Sequence, residues 1–106
     1  MFNINGVQWY VKFVSVDSPQ LHRDDGSVTI GMCDNNTKTI YINETLRGKK
    51  LKKVLCHELT HAAMFSYEVY LTYEQEEIVA DIIATYGEEI ISITIMLFEK
   101  LKMERL

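Results

Sequence analysis

The stretch Cys56-His57-Glu58-Leu59-Thr60-His61 lies in an apolar segment that opens at Leu51 and that we predict to be a helix. His57 and His61 are four residues apart, so on a helix both imidazoles project from one face and can reach one metal ion. Glu58 would then lie beside the open position of the ion, where its carboxylate can take a proton from an activated water. This H-E-x-x-H pattern is typical of metallopeptidases. We therefore predict that His57 and His61 bind Zn²⁺ and that Glu58 is the catalytic base, against the alternative of a helix with two surface histidines.

A zinc site needs a further protein ligand besides the two histidines. No histidine follows His61, and the metzincin extension would require a glycine at Met64 and a histidine at Tyr67, which excludes that class of enzyme. The earlier His22 lies in a polar segment typical of an exposed loop, and it remains a less favoured candidate. We expect instead a carboxylate from the part of the chain that follows the histidines.

Residues 74–86 predict a second helix, on which four residues share one face at the spacing i, i+3, i+4 and i+7: Glu77, Ala80, Asp81 and Ala84. A face made of two acids and two alanines suits close packing against the histidine helix. We predict Glu77 as the third metal ligand and Asp81 as the acceptor of a hydrogen bond from a ligand histidine. Glu76 and Glu74 are alternative ligands, although acids at a helix N-terminus also have a purely electrostatic explanation.

The pattern His57-Glu58-x-x-His61 followed by Glu77-x-x-x-Asp81 resembles the gluzincin arrangement of thermolysin-like metallopeptidases. The short chain, and the stretches 31–34 and 39–43 ahead of the active-site helix, resemble the minimal zincins of the ImmA/IrrE type, which are frequent in bacteria, phages and mobile elements. The resemblance covers about residues 28–86 and implies a zinc-dependent peptidase. The sequence departs from the pattern at Thr60, where the family usually has glycine, and in lacking the further domains of larger members.

Length and composition indicate one globular domain, residues 1–106, with 47% hydrophobic residues and 25% charged residues. The net charge of -4 argues against a nucleic-acid partner. The first residues have neither the basic start nor the apolar core of a secretory leader, so we expect a cytoplasmic protein. In that compartment Cys33 and Cys56 are expected to be reduced thiols.

Three stretches predict β-strands: residues 7–16, which alternate between apolar and polar side chains, and residues 27–33 and 37–43 around a turn. The predicted fold is α+β, with a three-stranded, mostly antiparallel sheet packed on the active-site helix and on one or two further C-terminal helices. By the resemblance, residues 28–33 form the outer strand, which pairs with an extended substrate backbone. Gly31 and Met32 of this strand would lie nearest the metal.

The active-site helix is predicted to begin between Asn43 and Gly48, capped by Asn43 or Thr45, and to run to about Tyr67. Four lysines occupy its first turns, where their charge opposes the helix dipole: Lys49, Lys50, Lys52 and Lys53. A solvated helix face is the default explanation of this cluster, and an anionic partner is the alternative.

Gly87 is the predicted end of the second helix, and residues 88–106 form a last segment with an apolar centre at 90–98. Nine apolar residues are too few to span a bilayer, so no membrane contact is predicted. We expect this segment, favoured as a helix, to close the core under the sheet. Contact between two copies is the alternative, which predicts a monomer or a homodimer through the C-terminal helix.

The sequence therefore predicts a zinc metalloendopeptidase that acts on a protein or peptide substrate. The alternative is a non-catalytic, zinc-containing interaction protein that binds a regulatory partner, such as a phage or mobile-element regulator or a toxin. Glu58 favours the enzyme, because a purely structural zinc site has no use for an acid beside an open coordination position.

Overall fold

The structure is a computed structural model that describes residues 1–105. This part of the chain folds into four strands and two long helices: β1 (Phe2–Ile4), β2 (Val7–Val14), β3 (Gly31–Asp34), β4 (Thr39–Asn43), α1 (Gly48–Ser66) and α2 (Tyr73–Arg105). A single 3₁₀ turn, Pro19–Leu21, lies in the loop between β2 and β3. The predicted α+β class is confirmed, with the sheet on one side of α1 and with α2 packed against α1.

The sheet differs from the prediction, because it has four strands in the order β1-β2-β4-β3 and is mixed rather than mostly antiparallel. The missed strand, β1, pairs with β2 through a tight hairpin at Asn5 and Gly6, which have φ values of 49° and 77°. Asn-Gly is the favoured pair for such a turn, so the sequence did contain this signal. The parallel pair is β2 with β4, in register from Tyr10 opposite Thr39 to Val14 opposite Asn43.

Strand β3 forms one edge of the sheet and is shorter than predicted. It pairs with β4 only from Gly31 to Asp34, whereas residues 27–30 form loop backbone with an isolated bridge between His22 and Val28. Within residues 1–105 the outer edge of β3 has no partner strand, which leaves room for an added strand there. One of its backbone groups, the Gly31 carbonyl, accepts from the Thr29 hydroxyl at 3.0 Å.

The core lies between the sheet and α1 and centres on five buried side chains: Trp9, Ile40, Ile42, Leu46 and Ala62. The indole Nε1 of Trp9 donates to Ser66 Oγ at 2.8 Å, and the Ser66 hydroxyl donates to the Ala62 carbonyl at 2.8 Å. These buried bonds tie the last turn of α1 to the middle of the sheet. The orientation of α1, which carries both histidines, is therefore fixed by the core.

The bounds of α1 agree with the prediction, but its cap does not. The N-cap residue is Arg47, whose side chain makes no capping hydrogen bond. Asn43 instead organises the preceding turn, because its Oδ1 accepts from the backbone N–H of Thr45 at 2.9 Å and from the Thr45 hydroxyl at 2.7 Å. Both cap candidates are thus used before the helix begins.

Helix α2 passes through Gly87 without a break, so the predicted stop there is wrong. A glycine inside a helix costs only about 1 kcal/mol relative to alanine, far less than a proline, so a single glycine weakens the helix without ending it. At about 1.5 Å per residue, the 33 residues of α2 extend for about 50 Å, well beyond the sheet.

The expectation that residues 88–106 close the core is also wrong for the described residues. Between Ile90 and Phe98, every isoleucine, methionine, leucine and phenylalanine of α2 leaves 44% to 60% of its surface exposed. A homodimer through this helix stays a prediction. Neither α1 nor α2 contains a stretch that is both long and apolar enough to cross a bilayer, within the residues described.

Candidate metal and catalytic site

The two histidines of α1 face each other one helical turn apart. Their Nε2 atoms are 3.2 Å apart, and the ring centroids are 4.9 Å apart with the planes inclined by 65°. His61 is buried and His57 is half-buried, so neither is an exposed surface histidine. The spacing of four residues therefore brings the two ring nitrogens to one point, as the sequence predicted.

Glu77 reaches the same point from α2. Its Oε1 lies 2.7 Å from His61 Nε2, and its Oε2 lies 3.4 Å from His57 Nε2. Tetrahedral zinc with bonds of about 2.0–2.1 Å places its ligand atoms about 3.3 Å apart. The separations of 3.2 and 3.4 Å match this spacing, and the 2.7 Å contact lies within a small side-chain movement of it. The side chains of His57, His61 and Glu77 thus fit a metal ion.

Both histidines have their other ring nitrogen engaged by a carboxylate. His57 Nδ1 lies 2.9 Å from Asp81 Oδ1, and His61 Nδ1 lies 2.6 Å from Glu76 Oε1. A carboxylate at Nδ1 holds the proton there and leaves the lone pair of Nε2 free for a metal. Two such lone pairs and the Glu77 carboxylate therefore converge on one point, an arrangement that a cation stabilises.

The structure brings Asp81 to the position predicted for it, and it assigns Glu76 a position that the sequence reasoning missed. Glu76 had been considered only as an alternative ligand, but it contacts the Nδ1 side of His61. The antiparallel packing of α1 and α2 explains this, because Asp81 and Glu76 lie opposite His57 and His61 respectively. Glu74 is exposed, and His22 is also exposed with its Nδ1 bonded to the Ser18 carbonyl at 2.8 Å, so neither belongs to this group.

Glu58 is buried beside the histidines, with only 7% of its surface exposed. Burial raises the pKa of its carboxyl, whereas the adjacent His61 and His57 oppose that shift. A carboxyl whose pKa is raised binds a proton more readily than an exposed one, which suits a group that accepts a proton and releases it again. Its position at the floor of a cleft therefore agrees with a role in proton transfer.

The residues of this site lie within a stretch of the chain that matches a known protein family. Residues 8–91 match a peptidase family whose description is the IrrE N-terminal-like domain. The chain belongs to this family. The matched residues include α1, the histidines and the carboxylates of α2, and they end before most of the exposed apolar segment. Neither the comparison with curated proteins nor the comparison with solved structures gave a match. The resemblance to ImmA/IrrE-type peptidases is thus confirmed, and the site lies within a metallopeptidase type of domain.

In this IrrE N-terminal-like domain, the edge strand β3 lies directly against α1 at Gly31. A Cβ atom added to Gly31 would lie 2.7 Å from Val54 Cγ1 and 3.2 Å from Glu58 Cγ. Only a residue without a side chain allows this close approach. Gly31 therefore lets the backbone of the edge strand approach Glu58, while Met32 is half-buried beside the same cleft.

We expect Gly31→Ala to lower the free energy of unfolding of the IrrE-like domain by about 1–3 kcal/mol, because the added methyl group overpacks against Val54. Adding Val54→Ala, which removes the contacting Cγ1, should restore part of the loss. Urea unfolding measures both effects. As a control, Gly87→Ala in the middle of α2 should leave stability unchanged or raise it by up to about 1 kcal/mol. Equal effects at Gly31 and Gly87 would contradict this account of the strand contact.

Two cavities meet at Glu58 and form one cleft. The first has a volume of about 320 Å³, and its walls include Lys50, Lys53 and His57. The second has a volume of about 490 Å³, and its walls include Met32, Phe65 and Tyr73. Four residues contribute to both cavities: Arg23, Gly31, Glu58 and Glu77. The cleft therefore extends to both sides of the candidate metal site.

Both cysteines of the IrrE-like domain are free thiols, as predicted. Burial raises the pKa of the Cys33 thiol strongly, and the nearby carboxylates of Glu58 and Glu76 raise it further. Cys33 therefore stays protonated at neutral pH and contributes a small apolar surface to the cleft rather than a nucleophile.

Proposed function

We propose that this chain is a zinc-dependent endopeptidase of the gluzincin type, in which His57, His61 and Glu77 hold the ion and Glu58 transfers protons. The observation that carries the proposal is the convergence of two free Nε2 atoms and one carboxylate at separations of 3.2, 3.4 and 2.7 Å. Two of these separations match tetrahedral zinc, and the third lies within a small side-chain movement of it. The buried Glu58 beside them favours catalysis over a purely structural site.

When bound, zinc would supply a Lewis acid that polarises the scissile carbonyl and makes water more acidic. Glu58 would accept a proton from the attacking water on its carboxylate and then deliver that proton to the nitrogen of the leaving amine. The peptide C–N bond breaks, and the water's oxygen ends in the new carboxylate. Asp81 and Glu76 would act only on orientation, since each holds one imidazole through its Nδ1 proton.

The free edge of β3 suggests how the substrate would be held. An extended peptide that pairs with β3 adds a strand to the sheet and runs past Gly31 and Met32. Because Gly31 lies against Glu58, the backbone of such a peptide would pass close to the proton-transferring carboxylate. The edge strand thus favours a protein or peptide substrate over a small ester.

Elemental analysis of the purified protein tests the proposed site. We expect about one zinc per chain, with the metal lost in the His61→Ala variant, because that change removes one of the ligand side chains. Glu74→Ala, at the exposed start of α2, is the matched control and should retain the metal. If the wild-type protein takes up no metal even when zinc is offered, the enzyme proposal fails and the non-catalytic interaction protein becomes the better reading.

A further inference from the structure

We propose that the cleft selects peptide segments of mixed character, with acidic side chains on one side of the scissile bond and an apolar or aromatic side chain on the other. The inference rests on the proposed function and adds the substrate class to it. It follows from an asymmetry of the two cavities. They share Arg23, Gly31, Glu58 and Glu77, and their walls differ in the residues that they do not share.

The first cavity carries more positive charge than the second. Lys50 and Lys53 contribute to its walls alone, and Arg23 contributes to the walls of both. None of the three forms an ion pair with a carboxylate in residues 1–105. Two of the three acids on the same walls contact histidines, since Glu77 contacts both histidines and Asp81 contacts His57. The third acid, Glu58, is buried. An acidic side chain is therefore the complementary occupant of this side, in a chain whose net charge is -4.

The four lysines at the start of α1 do not all border the cleft. Lys50 and Lys53, three residues apart, contribute to the walls of the first cavity. Lys49 and Lys52 contribute only to a separate surface depression, which Lys53 also borders. Lys52 is paired there with Glu88 at 2.6 Å. Of the two explanations for the cluster, a solvated face applies to Lys49 and Lys52, and an anionic partner applies to Lys50 and Lys53.

The second cavity is mostly apolar. Its walls include Met32, Phe65 and Tyr73, together with the protonated thiol of Cys33. Phe65 and Tyr73 leave 39% and 67% of their surface exposed, which an apolar side chain of a bound peptide would cover. Three acids border this cavity, and two of them, Glu58 and Glu77, border the first cavity as well. Glu76, which borders only this one, is bonded to His61 and is not free to attract a basic side chain.

The start of strand β3 links the two cavities. Ile30, just before the strand, borders the first cavity, Met32 borders the second, and Gly31 borders both. A peptide added along this edge would therefore place residues on each side of Glu58. The side chains of an extended peptide alternate in direction, so residues i and i+2 point to the same face. Two such residues of the bound peptide can therefore enter the two cavities.

Peptide binding to the zinc-loaded Glu58→Gln variant tests the inference without requiring turnover. The probes are fluorescent peptides with a pair of glutamates and a pair of phenylalanines separated by alanines, made in both orders, and matched probes with lysine for glutamate or serine for phenylalanine. We expect the better glutamate probe to bind about tenfold more tightly than its lysine counterpart at low salt. Replacing phenylalanine with serine should also weaken binding, and added salt should reduce only the charge preference.

Two double variants with the same change in net charge provide the decisive comparison. Lys50→Glu with Lys53→Glu should abolish or reverse the preference for acidic probes, whereas Lys49→Glu with Lys52→Glu should change it by less than about twofold. Equal effects of the two double variants, equal binding of glutamate and lysine probes, or no binding of any probe would overturn the inference.

Cleavage of the same probes by the protein with intact Glu58 separates this inference from the proposed function. A charge preference that depends on Lys50 and Lys53, without cleavage by the zinc-loaded protein, would overturn the peptidase proposal and support the selective cleft. Cleavage at the same rate for acidic and basic probes would support the peptidase proposal and overturn the inference of a charge-selective cleft.

Discussion

Glu58→Gln is expected to reduce peptide hydrolysis by about 10²–10⁴-fold while leaving the zinc content unchanged. Glutamine keeps the shape of the side chain but does not accept and return a proton as a carboxylate does. The ligand atoms of His57, His61 and Glu77 are untouched by this change. Hydrolysis of a quenched fluorescent peptide, measured beside elemental analysis of the same sample, gives both quantities.

The same substitution should not destabilise the metal-free protein. Burial raises the pKa of Glu58, which means that the folded state disfavours its charged form. A neutral glutamine avoids this desolvation cost, so the free energy of unfolding should be unchanged or raised. Glu89→Gln, an exposed change on α2, is the control for both activity and stability. Full activity of the zinc-loaded Glu58→Gln variant would show that another group transfers the proton.

Glu77→Ala is expected to weaken zinc binding by more than about 100-fold, because it removes the only carboxylate that contacts both Nε2 atoms in the described structure. Glu76→Ala and Asp81→Ala should each have a smaller effect, about 10–100-fold, since these carboxylates act on the metal only through the histidines. Glu74→Ala should have none. Competition with a zinc-binding dye measures all four variants on one scale.

The ranking of these variants tests the ligand assignment more sharply than any single loss. Similar losses for Glu77→Ala and Glu74→Ala would show that the effect is one of general acidic charge at the start of α2. A larger loss for Glu76→Ala than for Glu77→Ala would instead make Glu76 the ligand. The 2.6 Å contact of Glu76 with the Nδ1 atom of His61 argues against that exchange.

Features that depend on one helix at a time could be predicted from the sequence. The spacing of His57, Glu58 and His61 fixes their relative directions on α1, since helical geometry repeats every 3.6 residues. The same periodicity placed Glu77 and Asp81 together on one face of the following helix. Local geometry alone therefore produced the set of candidate residues, before any contact between helices was known.

The relations between elements were decided by the tertiary structure. The periodicity of β2 and β4 indicates strands but carries no information on their direction, so the parallel pairing was missed. Gly87 has the identity of a helix terminator, yet α2 continues through it, because one glycine weakens a helix by only about 1 kcal/mol. The second carboxylate on a histidine, Glu76, emerged only from the antiparallel packing of α2 against α1.

The walls of the cleft also depend partly on the sequence and partly on the tertiary structure. The sequence determined that four lysines crowd the start of α1. Helical geometry alone does not divide them into two pairs, because Lys53 lies one turn from both Lys49 and Lys50. Which lysines border the metal site depends on how α1 lies against β3 and α2, and so does the apolar wall opposite. Sequence periodicity sets the direction of each side chain about its own helix axis, whereas its surroundings come from contacts between residues far apart in the chain, which only the folded core fixes.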